Sequence, residues 1–131
     1  MRQILPVVLL AFAACSPLPD TVGEAAPAGT LWRLETVNDA PAPYAASLRL
    51  LRNDRVVGMT ACGPFTAEQT APLPWLDLGA FDPETPGCDD PGAAAFHAAL
   101  RSMDFAEVLE DRMLLSNAAG QSLFFRAAPD A

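Results

Sequence analysis

From residue 30 onward, apolar side chains recur at every second position in short runs broken by turn-forming residues. That period belongs to half-buried β-strands. In Thr30–Thr36, Trp32, Leu34 and Thr36 share one face while Arg33 and Glu35 take the other. Asn38-Asp39 opens a loop containing two prolines. Ser47–Arg52 turns Leu48 and Leu50 inward, Asn53-Asp54 supplies a tight turn, and Arg55–Cys62 reads as the returning strand of a hairpin. Phe65–Thr70 and Trp75–Leu78 are further strand candidates, the second with Leu76 and Leu78 alternating with Asp77. Phe105–Glu110, Arg112–Asn117 and Ser122–Arg126 complete the set, with turns at Asp111 and at Ala118–Gly120.

One segment follows a different period. In "CDDPGAAAFHAALRSM", Phe96, Leu100 and Met103 recur at spacings of four and three, the apolar stripe of a helix. Asp90 is placed to cap its N-terminus, and Pro91 occupies the first helical position, where its missing N–H costs nothing. Asp89 and Asp90 also lie at the positive end of the helix dipole. Strands, one helix and more strands predict an α+β fold: a curved antiparallel β-sheet, a partial barrel, with one helix packed on it.

The start of the chain follows neither pattern. Met1-Arg2 precedes an apolar run from Ile4 to Ala14, interrupted by Pro6, which is the layout of a secretory signal over residues 1–14. A membrane-spanning helix needs about 20 apolar residues, and this run is shorter. A buried N-terminal helix or strand is the alternative. "FAAC" at Phe12–Cys15 resembles a bacterial lipobox, which implies lipidation of Cys15 as the first mature residue. Two or more acyl chains give a stable anchor. Ser16 stands where an aspartate tends to retain lipoproteins at the inner membrane, so the expected location is the outer membrane, facing the periplasm. Residues 15–29, rich in Pro, Ala and Gly, are expected to form a lipidated N-terminus and flexible linker, leaving 30–131 as a single domain.

Charge narrows the partners. The chain has a formal net charge of −8, with 16 acidic residues against 8 basic ones, all of them arginine. Removal of Arg2 with the signal makes the balance more negative. No basic stripe exists for nucleic acid, and anionic headgroups would repel such a surface, so acyl chains must supply the hold on the membrane.

Few residues invite chemistry. With Cys15 acylated, Cys62 and Cys88 remain, and in an exported protein a structural disulfide is the leading reading. Two buried free thiols and a redox pair are the alternatives, the last without a C-x-x-C motif and with carboxylates around Cys88 that disfavour a thiolate. His97 is the single histidine, too few ligands for a zinc or iron site, and its place on the helix flank predicts a partly exposed surface residue. Asp77, Asp82, Glu84, Asp89 and Asp90 cluster without EF-hand spacing, so a solvated loop is preferred to a calcium site. No nucleophile–base pair is evident. The sequence therefore predicts no catalytic residue, no metal and no cofactor, and it names no ligand-binding residue.

Taken in order, these segments resemble the META/HslJ family. Trp32-Arg33-Leu34 stands for its W-x-L strand and Gly58 through Phe65 for its "G-x-x-G-C-N-x-F" element. Thr85 through Cys88 stands for "T-x-M-A-C", Phe96 to Leu100 for its helix, and Met113 through Gly120 to Phe125 for its closing hairpin. Gly63 replaces the usual asparagine and Ala61 the usual glycine. Gly58 and Gly63 serve either tight strand packing or a turn with positive φ. The resemblance implies a curved antiparallel sheet around one helix, and an envelope protein associated with stress or antibiotic tolerance. The expected function is a non-enzymatic envelope lipoprotein that binds a partner, an envelope protein, or supports envelope stress or antibiotic tolerance. The alternatives are a carrier or sensor of a small apolar ligand held between helix and sheet, and a periplasmic inhibitor of a cell-wall enzyme acting through the acidic loop 77–90.

Overall fold

The structure is a computed structural model that describes Gln3 and residues 20–27 and 29–128. Residues 1–2, 4–19, 28 and 129–131 lie outside the described residues, and with them Cys15 and the signal and lipobox readings. Eight strands are present: β1 (Leu31–Val37), β2 (Ala40–Pro41), β3 (Ser47–Leu50), β4 (Arg55–Thr60), β5 (Gly63–Glu68), β6 (Phe105–Leu109), β7 (Arg112–Ser116) and β8 (Ser122–Ala128). One helix, α1 (Pro91–Arg101), lies between β5 and β6. Every pairing is antiparallel, and the sheet runs β5-β4-β3-β1-β8-β7-β6 with β2 beside β1. The fold is therefore a curled antiparallel half-barrel with a single helix packed on it, the α+β class expected from sequence.

Local chemistry explains the turns. Asn38 and Asp39 have φ of 51° and 65°, and Val37 pairs with Ala40 across them. A two-residue turn with both centres left-handed suits a twisted hairpin and favours Asn and Asp. What read as the start of a loop is thus a hairpin turn into the short β2. The Asn38 carboxamide also accepts a hydrogen bond from the Ser122 backbone N–H at 2.9 Å, tying the β1–β2 turn to β8. In the β7–β8 turn, Asn117 Oδ1 accepts from the Ala119 and Gln121 backbone N–H groups at 3.1 and 3.0 Å. At the start of α1, Asp90 Oδ2 accepts from the Ala93 N–H at 2.8 Å. Such a cap stabilises by about 1 kcal/mol.

The two open glycine readings separate cleanly. Gly63 has φ of 107° at the β4–β5 turn, a conformation that glycine adopts without strain. Gly58 instead pairs with Phe65, and a Cβ there would fall inside the Phe65 ring. The ring uses the space that any larger residue would occupy.

Packing on the concave side is dense. Trp32, Phe65, Phe96, Leu100, Met113, Leu123 and Phe125 are all at most 1% exposed. Phe96 and Leu100 of α1 enter this core, and Met103 follows just beyond the helix end. A void among Leu48, Val56, Leu76, Leu100 and Met113 is about 10 Å³, room for no more than about one water.

Two segments depart from expectation. Trp75–Leu78 is not a strand; it makes isolated bridges, Trp75 with Phe105 and Leu78 with Gln69. The β5–α1 connection runs along both sheet edges. Thr66 and Asp82 exchange backbone hydrogen bonds at 3.0 and 2.8 Å, while Ala106 donates to Pro74 O and Leu76 to Asp104 O, each at 2.8 Å. A chain that must serve two edges cannot hold one continuous ladder. It does cover part of each edge, where unpaired strands invite aggregation. Gln69, 2% exposed, fastens the segment: its Nε2 donates to Ala71 O and its Oε1 accepts from the Asp77 N–H, both at 2.8 Å.

The second departure concerns the linker expected over 15–29. Within residues 20–27, a short 3-10 turn spans Val22–Glu24, Thr21 and Val22 are buried, and Val22 at 1% exposure joins the core. One valine in a Pro/Ala/Gly-rich stretch carries no periodicity, yet its burial fastens the segment. The domain thus begins at Asp20 among the described residues.

Gly58→Ala should destabilise the protein by about 1–3 kcal/mol, because Phe65 must leave its seat. Denaturant midpoints check this, and a smaller residue at position 65 in the same chain should recover part of the loss.

Candidate functional site

The outer surface carries two open depressions among the described residues. Strand register sets Arg33 of β1 beside Ser47 of β3 and Ser47 beside Met59 of β4, so the three form a row across the sheet. Period-two alternation turns them away from the core. Small neighbours, Ala45 and Ala61, leave depth beside the row, and the result is an open groove of about 380 Å³ that also touches Leu34. Met59 stands 47% exposed within it. Methionine is flexible and polarisable, suited to adaptable contacts. Arg33 at the rim offers the planar donor fork that matches a carboxylate. A second, more polar depression of about 320 Å³ lies between β5 and residues 79–82, with Arg55, Glu68 and Asp82 on its walls. Neither depression was anticipated from sequence. Alternation from Val56 does place Met59 outward, and an outward methionine on a strand was the available signal.

One wall of the groove ends at the β4–β5 turn, and that turn is cross-linked. Cys62 and Cys88 form a disulfide with Cα atoms 5.4 Å apart. The bridge joins the turn to the segment entering α1, as the structural reading of these cysteines held, and leaves no free thiol at either position. Thr60 Oγ1 accepts from the Cys62 backbone N–H at 3.2 Å, which further fixes the turn.

His97 departs from expectation. It is 5% exposed rather than a surface residue. Its ring centroid lies 4.4 Å from that of Phe65 and 5.3 Å from that of Phe81. Nδ1 has no hydrogen-bond partner. Burial, then the positive charge of Arg101 one turn along the helix, lowers its pKa below the ordinary 6.5. The neutral form is thereby favoured. Arg101 itself lies 4.6 Å over the Phe81 ring and pairs with Glu84 Oε2 at 3.2 Å, also donating to the Glu84 carbonyl. Phe81 arrives from a distant loop and covers the helix flank that the local pattern leaves open.

The acidic segment is dispersed in its roles. Asp90 caps α1, Glu84 holds Arg101, and Asp82 pairs with β5 through its backbone. Among the described residues, no three or more His, Cys, Asp or Glu side chains are grouped to hold a metal ion. Among the same residues, no helix is long and apolar enough to cross a membrane.

No family model and no curated protein matches this chain. Two solved structures share its fold. A DUF4847 family protein from Bacteroides vulgatus ATCC 8482 superposes with a TM-score of 0.66 at 12% identity, covering 79% of this chain and 96% of its own. A protein from Burkholderia xenovorans, solved by NMR, superposes with a TM-score of 0.62 at 20% identity, covering 89% of this chain and 94% of its own. Identities this low carry the fold alone.

Two outcomes are expected. Cys62→Ala and Cys88→Ala should each cost about 3–4 kcal/mol by the loop-entropy argument, and the double variant should be no worse than either single one in denaturant unfolding. For His97, the folded state binds fewer protons than the unfolded state wherever the two pKa values differ. Its contribution is intact above pH 6.5 and is lost as pH falls through that value toward the lowered one. Unfolding midpoints between about pH 7.5 and 5.5, where carboxylates with pKa near 4 titrate little, should slope downward on acidification. The slope should flatten in His97→Leu.

Proposed function

We propose that this protein is a non-enzymatic lipoprotein of the bacterial envelope, held through Cys15 and acting as a rigid binding module for a partner protein. The observation that carries the reading is the filled interior: a void of about 10 Å³ between helix and sheet has no room for an apolar ligand. Binding then falls to the exterior, where the Met59 groove joins an apolar, adaptable floor to the Arg33 guanidinium. That pairing suits an extended peptide segment with one apolar side chain and a nearby carboxylate. The "FAAC" lipobox supports export and tethering, Ser16 favours the outer membrane, and the resemblance of residues 30–126 to META/HslJ domains supports a role in stress or antibiotic tolerance. A tether raises the local concentration of such a module near envelope partners.

A photo-reactive side chain at position 59 of the full-length protein in living cells tests the reading. The expected result is a covalent adduct with one discrete protein at position 59 and none from a control at Ala118, in the β7–β8 turn. Absence of an adduct at 59, or equal labelling at both positions, contradicts it.

A further inference from the structure

Most large apolar side chains are buried, and three stand out: Met59 in the groove, Trp75 at 52% exposure and Leu109 at 70%. Trp75 and Leu109 lie at opposite ends of the edge strand β6. The Trp75 ring rests 5.1 Å, centroid to centroid, from Phe105 at the start of the edge strand β6. Leu109 ends that strand four residues on, and the exposed Glu107 lies between Leu109 and Phe105 on the same outer face. Trp75 is also firmly presented. Its N–H donates to Pro72 O, and the flanking Pro74 carbonyl and Leu76 N–H bond to Ala106 and Asp104, each at 2.8 Å. An exposed indole held this way is a prepared contact surface rather than a loose loop residue.

The chain itself says what lies opposite. The Leu73 N–H donates to Asp20 O at 2.7 Å, so the point where the packed chain begins sits two residues from Trp75. Val22 fixes that end in the core. From Asp20 back to Cys15 there are five Cα steps, at most roughly 18 Å when fully extended. A lipid on Cys15 therefore keeps this corner within roughly 18 Å of the anchor point. Tryptophan is enriched at membrane interfaces because its ring is apolar and its N–H polar.

We infer that Trp75, with Phe105, is a membrane-contact face that settles into the interfacial layer of the bilayer carrying the anchor. This rests on the lipoprotein reading above. The contact is small and acid-rimmed: exposed Asp77 and Asp104 flank it and Glu107 follows Phe105 on the same face, so it takes zwitterionic interfaces and is weakened by anionic headgroups at low salt. It also orients the domain. The groove is built on β1, β3 and β4, which β8 and β7 separate from β6, so the groove is carried away from the corner that meets the lipid.

The test uses the full-length protein purified from membranes and reconstituted into phosphatidylcholine vesicles with brominated acyl chains. Mass spectrometry first reads the acyl mass on Cys15, and Cys15→Ser should move the protein to the soluble fraction. Trp32, 1% exposed, is the other tryptophan, so Trp75→Ser supplies the background emission. The bromolipid should reduce the Trp75 component by roughly half, the behaviour of an interfacial indole. Trp75→Ser, folded by circular dichroism and still anchored, should lose the effect. Acylated protein whose Trp75 is unquenched overturns the contact face while the anchor stands. Trp75 shielded from acrylamide yet insensitive to bromolipid places a second copy of the chain on the face and overturns it too. A chain without acyl mass overturns the anchor and the face together.

Discussion

Phe65 is the residue through which the parts of this domain meet. Its ring lies in the space that Gly58 leaves on the neighbouring strand. From there it stacks on Phe81 of the long connection at 5.0 Å and approaches Phe96 and His97 of α1 at 6.2 and 4.4 Å. One aromatic side chain thus joins β4, β5, the helix and the segment that runs along both sheet edges. Aromatic contacts of this kind contribute about 0.5–1.5 kcal/mol each beyond the area they bury. The arrangement leaves His97 neutral and without a partner at Nδ1, a cost that the surrounding ring contacts offset.

The same cluster bears on function. Because the helix is locked onto the half-barrel through rings, and the disulfide holds the turn beside it, the helix–sheet interface is closed. A carrier needs that interface to part. A binding module needs it to stay shut, since a rigid scaffold limits the ordering cost of recognition to the groove and its partner. The disulfide replaces stability that a domain of this size cannot draw from a large core.

Sequence carried the local features well. The Asp90 cap, the strand alternation around Leu48 and Leu50 and the Phe96–Leu100 stripe all depend on neighbours a few residues away, and all are in place. What sequence did not carry depends on distant segments. His97 read as exposed because the position beside Phe96 points off the main stripe; Phe81 and Phe65 come from elsewhere to cover it. Val22 read as linker because a single apolar residue has no period. Trp75–Leu78 read as strand because alternation reports a two-sided environment and not whether a ladder continues. The groove was illegible for the same reason: Arg33, Ser47 and Met59 lie on three strands and meet only through register.

The central claim is that the interior is filled and the domain works through its surface. The most direct test is a native mass spectrum of the full-length protein, released gently from the envelope without reductant. The account predicts the covalently acylated, oxidised chain, with no further small molecule retained after delipidating exchange. A stoichiometric apolar adduct that leaves only when the protein unfolds would contradict it, because the helix and sheet would then have to part to hold a ligand.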